Sequence, residues 1–134
     1  MKTNVLGLFG VLLSVLVLSA CEKDDDIRVS DVPANVLNTL EAKYPNVSRA
    51  EWESKQGYYV ADFWQEGIET HVWIDAKAEW RMTELDFGIN LQILPEAVRN
   101  AFQNGQYASW RVDDIDKYER TDRTFYLIEI ETKG

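Results

Sequence analysis

Hydrophobic positions change period several times along this chain, and each change marks a predicted element. Residues 5–18 are almost wholly apolar, with no period, and a polar stretch follows as far as Asp31. Val32, Val36, Leu37 and Leu40 then recur at helical spacing and predict one apolar stripe on a helix. Pro33 suits the first helical turn, where its missing N–H removes no hydrogen bond. Asp31 is a candidate cap for that helix. Tyr44-Pro45 ends it, because a residue before proline avoids helical dihedrals. Period two takes over from there. Residues 49–54 and 57–65 alternate as strands around a Lys55-Gln56-Gly57 turn. A third strand, 68–75, follows Glu66-Gly67, and a fourth, 77–85, follows a turn near Asp75-Ala76.

The pattern then repeats. Val32-Pro33-x-x-Val36-x-x-x-Leu40 returns 62 residues later as Leu94-Pro95-x-x-Val98-x-x-x-Phe102. Tyr58-Tyr59-Val60-Ala61-Asp62-Phe63 returns 67 residues later as Phe125-Tyr126-Leu127-Ile128-Glu129-Ile130, so the second copy carries a longer turn around 119–124. The second helix stops at Asn104-Gly105, and strands at 108–118 and 124–131 follow. The first unit thus reads as a helix and four strands, the second as a helix and two. The second unit is expected to be incomplete, lacking its last two strands, with 124–131 as an unprotected sheet edge. The expected organisation is a leader at 1–20, an acidic tether at 21–31, a first unit at 32–87 and a second at 88–134. The fold class is α+β.

Alternation also sorts side chains by face. Tyr59, Ala61 and Phe63, matched by Tyr126, Ile128 and Ile130, should face the helices. Trp52 and Trp80 suit the same core. The opposite side receives Tyr58, Val60, Asp62 and Trp64, then Glu69, His71, Trp73 and Asp75, then Phe125 and Leu127. A helix-free sheet face should be mostly polar, yet this one carries aromatics among acids. Aromatic clusters rimmed by polar residues mark binding sites, so Tyr58, Trp64, His71, Trp73 and Phe125 are the candidate binding residues.

Charge narrows the partner. The chain has 14 Lys+Arg against 23 Asp+Glu, a net charge of −9. That argues against nucleic acid and anionic lipid surfaces, which need basic patches. No catalytic constellation is expected. His71, the single histidine, reads as a solvent-facing strand residue, and no nucleophile-elbow serine motif or phosphate-cradling glycine loop is present. Asp24-Asp25-Asp26 and Asp113-Asp114 with Asp116 lack the spaced ligands and turn glycine of a calcium loop and read as solvated charge. No cofactor and no metal site is expected.

The start of the chain sets its address. Lys2 precedes the apolar run, and Leu18-Ser19-Ala20-Cys21 places small residues just before the single cysteine. The run is shorter than the roughly 20 residues of a spanning helix. The arrangement looks like a bacterial lipobox, which implies lipidation at Cys21 and a mature protein that begins there. Glu22-Lys23-Asp24-Asp25-Asp26 resembles the acidic export tag that directs lipoproteins to the cell surface in Bacteroidetes. The expected location is therefore the outer membrane, lipid-anchored and surface-exposed, with the periplasmic face as the alternative. One cysteine allows no intrachain disulfide, so packing must hold the fold.

The Val/Leu-Pro helix start, Tyr44-Pro45 after the first helix, Trp52 in the first strand and the paired aromatics Tyr58-Tyr59 together resemble the PepSY-like lipoproteins of Bacteroidetes, also described as beta-lactamase-inhibitor-like. Gln106, with no proline after it, departs from the Tyr44-Pro45 pattern. The resemblance implies an antiparallel sheet with helices on one face, two tandem units and no catalytic residues. The expected function is a non-catalytic envelope lipoprotein that binds a protein or peptide through the aromatic-bearing face, as an inhibitor in one form. The alternative is a glycan-binding accessory module with Trp64 and Trp73 as stacking platforms.

Overall fold

The computed structural model describes residues 25–132. The leader, Cys21 and Asp24 lie outside the described residues. Seven antiparallel strands form a single sheet in chain order: β1 (Asp25–Ile27), β2 (Glu51–Lys55), β3 (Tyr58–Gln65), β4 (Ile68–Ile74), β5 (Trp80–Asp86), β6 (Arg111–Arg120) and β7 (Thr124–Glu131). Helix α1 (Ala34–Lys43) lies between β1 and β2 in the chain, and α2 (Glu96–Gln103) between β5 and β6. Short 3-10 turns at Val29–Asp31 and Leu91–Ile93 precede the two helices.

The hairpins follow from their turn residues. Gln56 and Gly57 have φ of 53° and 83°, and Glu66 and Gly67 have 52° and 79°. Positive φ at both central residues gives a two-residue turn whose twist matches the strands, and glycine takes the second position without strain. The register that results pairs Lys55 with Tyr58 and Gln65 with Ile68.

The core forms between α1 and the first half of the sheet. Val36 and Leu40 are buried against Trp52, Ala61, Phe63, Val72 and Ile74, with Tyr59 and Trp80 packed at the margin. Burying such side chains contributes about 1.5–3 kcal/mol each. Polar contacts fix the helix over the sheet. Thr39 Oγ1 donates to the Ala78 carbonyl at 2.6 Å. The Tyr44 hydroxyl lies 2.8 Å from Thr83 Oγ1, and Trp80 Nε1 donates to the same oxygen at 2.9 Å. These bonds satisfy the fully buried Thr83 hydroxyl. Burial pushes the Tyr44 phenol up from its ordinary value. The second half is less enclosed. Ile115 and Leu94 are buried, but α2 itself contributes no buried residue; Val98 and Phe102 of the expected stripe are half-buried. Phe87 lies 6.4 Å from Tyr126 on that side.

Several boundaries differ from the sequence expectations. Asp31 does not cap α1. It closes the preceding 3-10 turn and pairs with Arg28 at 3.5 Å, while Pro33 takes the N-cap position without a side-chain cap. The sheet begins at Asp25, inside the stretch expected to be tether, because Asp25–Ile27 pairs with β2. Strand β5 starts at Trp80 rather than at 77. Asp75 Oδ1 accepts from the Lys77 and Glu79 amides, and Ala78 has φ of 63°, so this segment turns before it extends. Strand β6 starts at Arg111 because Gly105 to Trp110 forms successive hydrogen-bonded turns. Among the described residues, β7 pairs only with β6 and forms one edge of the sheet; β1 forms the other.

Candidate functional site

The face of the sheet opposite α1 reads as three cross-strand rows, each set by the register. The first runs Glu53, Val60, Trp73, Met82, Arg120. The second runs Glu51, Asp62, His71, Glu84, Tyr118, Phe125. The third runs Trp64, Glu69, Asp86, Asp116, Leu127. Tyr58 joins the first row's end beside Lys55. All five candidate binding residues, Tyr58, Trp64, His71, Trp73 and Phe125, therefore share this face, as period two requires.

They are not equally available. Trp64 is 70% exposed. Trp73 is half-buried: Tyr58 meets its ring edge-on at 5.8 Å and 68°, and the Lys55 ammonium lies 5.7 Å from its centroid. The Trp73 indole Nε1 is buried with no hydrogen-bond partner among the described residues. Val60, expected on a solvated face, is buried beneath this group. Phe125 is half-buried, stacked on Tyr118 at 5.0 Å and 11°, with the Arg123 guanidinium 5.3 Å from its ring. His71 sits between two carboxylates, Nδ1 3.8 Å from Asp62 Oδ1 and Nε2 3.8 Å from Glu69 Oε1. With each ring nitrogen turned toward an acid, His71 bridges two carboxylates. Asp75, assigned to this face by alternation, instead holds the β4–β5 turn and Arg81 Nε at 2.8 Å. The Glu79 amide it accepts from, and then Arg81, lower its pKa.

Two shallow cavities open on this side. One, of about 210 Å³, is lined by Glu53, Lys55, Val60, His71, Trp73 and Glu84. The other, of about 390 Å³, lies at the sheet's end between Trp64, Glu69, Asp86, Phe87 and Ile93. A third, of about 340 Å³, lies on the opposite side beside Leu37, Tyr44 and Trp52. It marks the seam between α1 and the sheet.

The acids of β5 escaped the sequence reading, which took those of β6 as solvated charge. Plain alternation would put Val112, Asp114 and Asp116 on one face. A register shift between Val112 and Asp114 separates them. Val112 stays opposite Ile130 on the helix side, while Asp114 and Asp116 join Glu129 and Asp86 on the other. Asp113 is exposed and pairs with Arg111 at 3.1 Å. Asp116 is not solvated charge: it is only 8% exposed. Burial first, then Asp114, Glu84, Asp86 and Glu129, push its carboxyl up to about 6. Tyr118, whose hydroxyl donates to Glu84 Oε1 at 3.3 Å, is pushed up to about 12 by burial and then by Glu84 and Asp116. Two groups of donor atoms lie close enough to share an ion: Asp62, Glu69 and His71, and Asp86, Asp114 and Asp116. The paired aspartates at 113–114 were visible in the sequence, but the bulge that turns Val112 away from the Asp114 face was not.

The α+β fold gathers aromatics and acids on the sheet face opposite α1. Comparison with known families names it. The model of the family described as "Putative beta-lactamase-inhibitor-like, PepSY-like" matches residues 57–134, and the chain belongs to this family. It is similar to a BLIP-like protein from Bacteroides fragilis, at 36% identity and a TM-score of 0.71 over 75% of this chain and 72% of that one. A DUF2874 family protein from Bacteroides uniformis is 30% identical, with a TM-score of 0.72 over 77% and 75% of the two chains. A Bacteroides eggerthii structure described as "putative periplasmic proteins" is 29% identical, with a TM-score of 0.69 over 75% and 73%. No curated protein matches the chain. No described helix is long and apolar enough to cross a membrane.

Proposed function

We propose that the protein is a non-catalytic lipoprotein of the cell envelope that binds a protein or peptide through its helix-free sheet face. One observation carries the reading: that face presents Trp64 at 70% exposure among acidic side chains. An exposed aromatic supplies the desolvation area of a binding anchor. The surrounding carboxylates select a partner segment rich in lysine or arginine. The inhibitor-like family description and the BLIP-like neighbour support an inhibitory form of this binding. We read residues 32–87 and 88–134 as tandem units with both helices on the other face, which leaves the binding face open. The lipobox-like Leu18–Cys21 and the acidic run at 24–26 support a lipid anchor at the outer membrane, surface-exposed; the periplasmic face is the alternative, which the Bacteroides eggerthii neighbour's description favours.

The test is capture from the source cell envelope with wild-type and Trp64→Ala protein side by side. The reading expects a polypeptide that wild-type protein retains at low salt and that Trp64→Ala loses. Equal capture by both would remove this face from the interaction. The alternative, a glycan-binding accessory module, would be favoured by retention of a polysaccharide instead. Geometry weighs against it. Trp73 faces Val60 across the strands, four residues from Trp64, so the two indoles stand roughly 13 Å apart along the strands. They cannot sandwich one sugar ring.

A further inference from the structure

We propose that the protein pairs with a second copy of itself through β7, joining two sheets edge to edge. The two edges of the sheet differ. Strand β1 has three residues, two of them aspartates, the short charged form that discourages strand addition. Strand β7 runs Thr-Phe-Tyr-Leu-Ile-Glu-Ile-Glu, eight residues without proline, glycine or lysine. Among the described residues its outer side pairs with nothing. The hairpin fixes which groups that side offers. The Arg120 amide donates to the Arg123 carbonyl across the β6–β7 turn. Hydrogen-bonded pairs alternate from there, so Phe125 and Leu127 turn their backbone groups toward β6. Thr124, Tyr126 and Ile128 therefore point theirs away from the sheet.

Charge and symmetry along the strand select a second copy as the occupant. A two-fold axis through Leu127, normal to the sheet, sets β7 antiparallel to its copy and opposes residues equally distant from Leu127. Tyr126 then meets Ile128 in a hydrogen-bonded pair, which uses the outward backbone groups. On the α1 side the half-buried Tyr126, Ile128 and Ile130 gain cover. On the other face Leu127, 45% exposed, meets Leu127 of the second copy. Arg123, flanking the strand, meets Glu131 at both ends. Glu131 would sit between Arg111 of its own chain and Arg123 of the other. Opposite charges across a strand pair stabilise it, and like charges directly opposite destabilise it. An axis at Ile128 would set Leu127 against Glu129 and Phe125 against Glu131, with no ion pair. An axis at Tyr126 would leave Ile130 and Glu131 opposite the β6–β7 turn. The net charge of −9 on each copy opposes association, but physiological salt screens it beyond about 8 Å. Such an isologous contact closes at two copies. The edge is separate from Trp64, so dimerisation and partner binding are tested apart.

Disulfide trapping tests this on the full chain in intact source cells under a mild oxidant. A pair of Leu127 residues across the axis is not hydrogen-bonded, which brings the Cα atoms to about 4.5 Å, within the disulfide range of about 4.4–6.8 Å. Leu127→Cys should therefore trap at least about tenfold more dimer than Val29→Cys, an exposed position beside β1 that measures chance collision. Arg123→Cys and Glu131→Cys should each stay at that background alone and cross-link when combined in one chain. Adding Arg123→Glu to the Leu127→Cys chain should cut trapping about fivefold or more, by replacing both ion pairs with like charges. All four positions are exposed, so the variants should keep the wild-type melt. Equal trapping of Leu127→Cys and Val29→Cys would overturn the proposal. So would full trapping by Arg123→Cys alone, no effect of Arg123→Glu, or capture of a different polypeptide by Leu127→Cys, which would give the edge to another partner.

Discussion

At the residue scale, burial separates side chains that sequence alone treats alike. Phe63 and Trp64 are neighbours on β3, yet Phe63 is 3% exposed and Trp64 70%. Phe63→Ala should lower stability by about 3–5 kcal/mol. Trp64→Ala should change it by no more than about 0.5 kcal/mol. Urea denaturation of the two variants measures the difference, and comparable losses would make Trp64 a core residue. Asp116 makes a prediction about pH. Its folded-state pKa of about 6 lies above its ordinary 3.8, so the native state holds the proton more tightly than the unfolded chain does. Stability from this group is fully present below about pH 4 and is lost as pH rises through 6. Glu84 and Asp86 from β5, Asp114 and Tyr118 from β6 and Glu129 from β7 face it. Asp116→Asn should flatten the decline in stability between pH 4 and 7. An unchanged slope in thermal melts across that range would assign it to other carboxylates.

At the element scale, the two helices are predicted to differ although their sequences repeat. Leu40 of α1 is 6% exposed inside the main core, whereas no residue of α2 is buried. Leu40→Ala should cost about 2–5 kcal/mol, and Val98→Ala less than about 1 kcal/mol. Amide exchange should accordingly be faster in α2 than in α1, because local opening there exposes less apolar surface. Similar protection of both helices would contradict that ranking. The hairpin turns supply a second contrast. A Cβ at Gly57 or Gly67 meets nothing within 4 Å, but both have positive φ. Alanine at either should therefore destabilise by about 1 kcal/mol through backbone strain alone, and the same chemical denaturation measures it.

At the scale of the whole molecule, a net charge of −9 and the acidic sheet face predict that the proposed binding is electrostatic. Association with a basic partner should slow as salt rises toward and past physiological strength, where the screening length is about 8 Å. Stopped-flow rates over a salt series check this; a flat series would point to an apolar contact centred on Trp64. Anchoring is tested separately. Cys21→Ser should release the protein from membranes or leave its leader uncleaved, read by fractionation and mature mass. Replacing the acids at 24–26 with alanine should retain the anchor and reduce protease accessibility on whole cells.

Local rules in the sequence determined the elements and the faces. Period two placed Tyr58, Trp64, His71, Trp73 and Phe125 together because alternation along a strand follows from backbone geometry alone. Gln56-Gly57 and Glu66-Gly67 declared their turns because few residues accept positive φ. The internal repeat and the Pro33, Tyr44-Pro45 and Trp52 positions carried the family resemblance. Longer-range effects were decided only by tertiary structure. The strand at Asp25–Ile27 exists because β2 offers it an edge. Trp73 is half-covered because the register brings Tyr58 and Lys55 beside it. Asp116 is buried among acids because the β5–β6 register pairs it with Asp86, 30 residues away in the chain. Pairing between distant segments and the place of a bulge depend on how strands compete for one another across the sheet, and no local pattern of residues encodes that competition.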